Sequence, residues 1–194
     1  QRPFTDYVVG AGCTGGRCDR RREYISAAAG RILYDLRYII RDWRGTGRLY
    51  GATFRALPLE EQLERMVVGM GSLSYAELAS ERIHVALLTS DQEEEQSCFS
   101  DTTHQATLHN ALGIQSMYLG RHRKLDGAEI SGPSCSDLVR ALDPELDGAL
   151  RGALVETEQS ARAIVEAAEA GMPFDRMIVD ADGAGRALLR DLIA

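Results

Sequence analysis

Apolar residues return at steps of three and four through most of this chain, the spacing of one face of an α-helix. Ile25, Ala28, Ile32, Leu36, Ile39 and Trp43 set the first stripe. They predict a helix starting at Arg20, with Asp19 as N-cap and Gly45-Thr46-Gly47 as its end. Pro58 suits the first turn of a second helix bearing Leu59, Leu63, Met66 and Val67 on one face. Gly69-Met70-Gly71-Ser72 is expected to break the pattern. A third helix from about Ser74 then carries Leu78, Arg82, Val85 and Ala86. Ser100 is placed as the N-cap of a helix running to Leu119, where Gly120 stops it. The face of that helix formed by Thr103, Ala106, Asn110, Gly113 and Met117 is mostly small and invites close helix packing, with Asn110 buried and hydrogen-bonded.

Residues 121–133 read as a loop, and a short helix follows over residues 135–142. The longest helix is expected from Asp143-Pro144 to about Ala170, with Leu146, Leu150, Leu154, Thr157, Ala161, Ile164 and Ala168 in register. Gly171-Met172-Pro173 ends it. A last helix is expected from about Ala181 to Ile193. Alternating strand patterns bounded by hairpin turns are lacking, so the class is all-α, an antiparallel helical bundle. Residues 1–19 form a glycine-rich loop, and residues 20–194 the bundle domain.

Composition narrows the partners. The 194 residues carry a net charge of −7, with 44% hydrophobic and 6% aromatic residues, so aliphatic packing dominates. An acidic chain repels phosphate backbones, which argues against nucleic acid. The short run Arg20-Arg21-Arg22 does not reverse that and reads as helix-capping or acid-paired. No apolar run is long enough to cross a bilayer. The start, Gln1-Arg2-Pro3-Phe4, has no signal-peptide pattern and reads as a cut inside a longer protein.

Four cysteines allow three connectivities, which sequence alone does not separate. A metal site at Cys13 and Cys18 lacks a second close pair. Two disulfides, Cys13–Cys18 and Cys98–Cys135, are favoured, and with them an oxidising compartment. In the chain-entropy model they would contribute roughly 2 and 4 kcal/mol.

The candidate chemistry is concentrated between Glu81 and Asn110. Alone, the run Asp91, Glu93, Glu94, Glu95 is a solvated connection. Its position, leading into Ser100-Asp101 at an expected helix N-terminus, suits an anion or a hydrogen-bonded junction, and its carboxylates suit a hard cation. Asp101 and His104, three apart, share a helix face and can orient one another or bind a metal; a capping aspartate beside a surface histidine is the simpler alternative. His84, among Ile83, Val85 and Ala86, is expected to be a packed core or interface residue. The chain lacks H-E-x-x-H, G-x-S-x-G, a phosphate-binding loop and a dinucleotide fingerprint.

Several segments in order resemble the imelysin family, classed as M75 peptidases. They are Gly12-Cys13-Thr14 through Cys18-Asp19-Arg20-Arg21, Gly69-Met70-Gly71-Ser72-Leu73-Ser74 with Glu77-Leu78-Ala79, and Glu81-Arg82 with Val85-Ala86-Leu87. Ser97-Cys98-Phe99-Ser100-Asp101-Thr102-Thr103-His104, then Asn110 through Gly113-Ile114 to Tyr118-Leu119-Gly120, and Pro173-Phe174-Asp175 complete the set. The resemblance implies a bacterial periplasmic or outer-membrane-associated protein of two helical-bundle halves, a metallopeptidase whose metal-binding half is absent from this chain; the alternatives are a non-enzymatic binding module linked to iron uptake and a structural half-domain. It implies a cleft to which Glu81, Arg82, Glu95, Ser100, Asp101, His104 and Asn110 contribute. It also implies a divalent metal, zinc or iron, in the full-length protein, and a polypeptide or iron-related ligand. The family's G-x-H-x-x-E motif is missing: none of His84, His104, His109 and His122 has a glutamate three residues on. The chain therefore resembles the second half of such a protein, its partner being the half that carries H-x-x-E. No metal ligand set is assigned within it. Gln96 stands where the family commonly has histidine, and His84 where it has methionine.

Overall fold

The computed structural model describes residues 3–47, 49–180 and 183–194. The chain divides into two compact units, residues 1–64 and 65–194. The boundary expected near residue 19 falls within the first.

In the first unit a 3-10 turn, Phe4–Tyr7, and a loop lead into α1, Cys18–Arg44. The Cys13–Cys18 disulfide is formed, with Cα atoms 5.8 Å apart. It fixes the first helical residue two positions ahead of the expected start. Arg17, at φ 51°, occupies the N-cap without a side-chain cap bond, and Asp19 falls in the first turn, where its charge opposes the helix dipole. A second, short helix, α2 (Tyr50–Arg55), was invisible to periodicity because six residues make under two turns. Edge-on ring contacts join Trp43 to Tyr50 and Phe54, at 5.1 and 5.6 Å between centroids. Arg55 donates to the Trp43 and Gly45 carbonyls at 2.9 and 2.8 Å, satisfying the end of α1. A Cβ at Gly51 would strike the Trp43 carbonyl, so only glycine permits this approach. Along α1 Cys18 alone is buried; Ile32 and Leu36 of the expected core stripe are 60% and 51% exposed.

The helix α3, Leu59–Gly71, does not break at Gly69-Met70-Gly71-Ser72. Gly71 keeps helical angles, and the chain passes into a π-wound stretch, Ser72–His84, then into α4, Val85–Thr89. Each helical glycine costs up to about 1 kcal/mol, but Met70, Leu73, Leu78 and Ile83 pack on the core here and offset it. Arg82 pairs with Glu77 at 2.7 Å, a five-residue step that i→i+5 winding brings onto one face. His84 is exposed, which corrects its reading as a core residue within this chain.

The second unit is an all-α bundle, as expected. The helices α5 (Thr103–Leu119) and α7 (Pro144–Glu169) pack together with α6 (Cys135–Leu142), α8 (Phe174–Val179) and α9 (Ala184–Ile193). Ile83, Ala86, Leu87, Ile114, Ile164, Phe174, Met177, Ile178 and Leu189 fill the core. Asp143 caps α7, accepting from the Glu145 and Leu146 amides. The expected loop 121–133 is instead a hairpin, β1 (Arg121–Arg123) against β2 (Glu129–Ser131), with His122 opposite Ile130. Asp126-Gly127 makes its turn, Gly127 at φ 83°. The last helix is preceded by α8, which was not expected. The start placed at Ala181 lies outside the described residues. A Cβ at Gly185 would come within 2.9 Å of the Met177 backbone, so this glycine sets the α8–α9 approach. Arg186 donates to the Leu87 carbonyl at 2.5 Å, to the Ile178 carbonyl and to Ser90 Oγ at 3.1 Å, joining α4 and α8.

Candidate functional site

The junction between α4 and α5 gathers most of the polar residues singled out in the sequence. Ser90, at φ 53°, turns the chain out of α4. Asp91 Oδ1 accepts from the Glu93 amide at 2.9 Å, and the 3-10 turn Gln92–Glu94 follows. Glu93 and Glu94 face solvent while Glu95 turns inward, 5% exposed. Its Oε2 accepts from Thr103 Oγ1 at 2.9 Å, and that hydroxyl oxygen accepts from the Ser97 amide at 3.2 Å. Thr103, the first residue of α5, thus ties the acidic run to the helix start. Glu95 Oε1 is buried without a partner among the described residues, and so is His104 Nδ1. Burial pushes the Glu95 carboxyl above its ordinary range; the charges of Asp175 and Asp101 push the same way, against the Thr103 hydrogen bond.

The Ser100 cap does not form. The helix begins at Thr103 after Thr102, which makes no side-chain cap bond. Ser100 Oγ instead bonds the Ser97 carbonyl at 3.2 Å and Thr102 Oγ1 at 2.8 Å. Asp101 stands at φ 54°, so the backbone is still turning where the cap was expected. Asn110 is half-buried rather than buried; its Nδ2 donates to Gln96 Oε1 at 3.3 Å. The buried face of α5 is Thr103, Thr107, Ala111, Ile114 and Tyr118, while Gly113 and Met117 of the expected face are exposed. Glu81 is exposed and Arg82 is held by Glu77, so neither hydrogen-bonds to the junction among the described residues.

Sequence reasoning missed Thr103, the hub of the junction, and Asp175, whose side chain accepts from Gln92 Nε2 at 3.3 Å across 83 residues of sequence. Thr103 lay in the family-like segment but carried no chemistry of its own; nothing local marks Asp175.

A second buried network sits at the other end of α5. Asp147 Oδ1 accepts from Tyr118 Oη at 2.8 Å and Ser136 Oγ at 2.6 Å. The Ser136 hydrogen bond foremost holds the Asp147 carboxyl below its usual range, and burial, then the Asp147 hydrogen bond, push the Tyr118 phenol up to about 12. The expected Cys98–Cys135 disulfide is absent: both thiols are free. Cys135 opens α6 beside Ser136, near Tyr118, whereas Cys98 lies beside the start of α5. At 1.5 Å per residue, α5 separates these ends by roughly 20 Å. Burial pushes the Cys135 thiol up, which leaves it unreactive.

Among the described residues no group of three or more His, Cys, Asp or Glu side chains is arranged to hold a metal ion. Glu95 and His104 offer two unsatisfied donor atoms, short of the three protein ligands of an open zinc site. No helix of the described residues is long and apolar enough to cross a membrane.

By fold the chain is an all-α helical bundle. The imelysin (M75 peptidase) family model matches residues 1–194, and the chain belongs to that family. No curated protein matches it.

Proposed function

We propose that this imelysin-family chain works outside the cytoplasm, in the periplasm or at the outer membrane, as the ligand-binding side of a site completed by groups from beyond residues 1–194. The carrying observation is the pair of buried, unpartnered atoms Glu95 Oε1 and His104 Nδ1 at one helix start. A buried acceptor left open costs about 1–3 kcal/mol, so a partner that fills it binds with that advantage. The partner is a group rich in donors or positive charge: a divalent cation such as zinc or iron, or a polypeptide amine. The charge of residues 65–194, eleven basic against twenty-one acidic side chains, or −10, supports a cation. The family's metallopeptidase and iron-uptake readings share this requirement. With no H-x-x-E in the chain, hydrolysis falls to residues outside it. The extracytoplasmic placement is supported by the Cys13–Cys18 disulfide.

Zinc or ferrous ion titrated into the chain, followed by imidazole resonances in NMR, tests this reading. Weak binding that moves His104 ahead of His84, His109 and His122, and that Glu95→Gln abolishes, is the expected result. Response confined to the exposed histidines would refute it. The metal-loaded chain should leave unfolded protein substrates uncut; chelator-sensitive cleavage would place the chemistry within it.

A further inference from the structure

A pocket of opposite character lies at the start of α1. Arg17, Arg20, Arg21 and Tyr24 line an open cavity of about 270 Å³. The first unit carries eleven basic against eight acidic residues, +3, in a chain that is otherwise strongly acidic. Within the pocket, Arg21 is fixed: its Nε donates to the Asp6 carbonyl at 3.0 Å and its Nη2 to the Gly16 carbonyl. Those two acceptors are neutral carbonyls, and the buried Asp6 carboxylate accepts from Thr14 at 3.0 Å. Arg17 and Arg20 are exposed and pair with no acid among the described residues. At about 100° per residue, Arg20, Tyr24 and Arg21 span about 100° of the circumference of α1, and neither Asp19 nor Glu23 lines the cavity. The Cys13–Cys18 bond closes the loop that presents Arg17, so the cluster is set in place before any ligand arrives.

We propose that this pocket binds a phosphate group, gripped by the Arg17 and Arg20 guanidiniums with Arg21 behind them and Tyr24 as an aromatic wall. Guanidinium forks match phosphate oxygens two at a time, and a dianion neutralises the two arginines that pair with no acid among the described residues. The phosphate is either free or borne by a lipid headgroup. The site is independent of the Glu95–His104 junction.

Isothermal titration of the oxidised full chain with inorganic phosphate in about 0.15 M salt, which screens diffuse charge, and cosedimentation with phosphatidic acid vesicles against phosphatidylcholine vesicles test it. Arg17→Glu/Arg20→Glu should weaken binding roughly tenfold or more, since both forks are reversed. Arg20→Gln should weaken it several-fold. Arg31→Glu, a two-charge change farther along α1 where Arg31 pairs with Asp35, should leave binding within about twofold. Cys13→Ser/Cys18→Ser should weaken binding while circular dichroism stays helical. Binding of both phosphate and the acidic vesicles assigns a free phosphate site; binding of the vesicles alone assigns a headgroup. Binding of neither, or equal loss in Arg31→Glu, overturns the proposal.

Discussion

Replacing Arg186 by methionine tests how the second unit is held at its helix ends. The change keeps the aliphatic stem and removes the guanidinium that serves the Leu87 and Ile178 carbonyls and Ser90 Oγ. Leu87 and Ile178 lie in the last turns of α4 and α8, where helix carbonyls lack partners of their own. Hydrogen bonds from a charged donor contribute about 1.5–3 kcal/mol each, and two are lost at buried residues. Arg186 is itself only half-buried, so water recovers part of that; the net cost is about 2–4 kcal/mol. Urea unfolding followed by far-ultraviolet circular dichroism measures it. Hydrogen exchange at the Ser90 amide, which bonds the Ala86 carbonyl at 2.9 Å, reports the α4 end directly. Arg186→Lys should recover less than half, because one ammonium cannot span both carbonyls as the fork does. A loss under about 1 kcal/mol, or full rescue by lysine, would refute the argument.

Glu95→Gln removes a carboxyl whose folded pKa is raised, chiefly by burial. The wild type should therefore gain on the variant as pH falls through the raised value toward the unfolded one; a pH-independent gap between their urea midpoints would contradict this. Thr103→Val should cost about 1–3 kcal/mol by stripping partners from Glu95 and the Ser97 amide, whereas Ser100→Ala should cost under about 0.5; the reverse order in thermal unfolding would restore Ser100 as the cap. Alkylation of the native chain should label Cys98 and spare Cys135 until unfolding, with peptide mapping finding Cys13–Cys18 as the disulfide; a Cys98–Cys135 link would contradict the separation along α5.

Helix existence was legible wherever the apolar period was long, as in α1 and α7. Helix faces were less so. On α5 apolar and polar residues are spread around the whole circumference, so sequence favoured the small Asn110 face while tertiary contacts chose Thr107, Ala111 and Ile114. In the π-wound stretch the buried residues Leu78 and Ile83 stand five apart. A search at steps of three and four passes over that pair and selects Arg82 and Val85 instead. The hairpin escaped because its strands, fully exposed, show no alternation. At the junction, acidic and hydroxyl residues pointed to the right segment. The inward turn of Glu95 rests on its bond to Thr103, eight residues on, a contact that no local pattern marks.

The slow winding of residues 72–84 also gives the helix slack in its length. A tightly wound helix that loses one residue swings everything beyond the deletion around its axis by about 100°. Here one turn can close from i→i+5 to i→i+4 bonding and absorb the missing residue locally. Ala86 and Leu87 would keep facing the core, and the Arg186 bond to the Leu87 carbonyl would survive. Length variation within this segment is thus compatible with an unchanged junction, whereas the same variation inside α5, regularly wound and buried along Thr103 to Tyr118, would rotate its buried face out of the bundle.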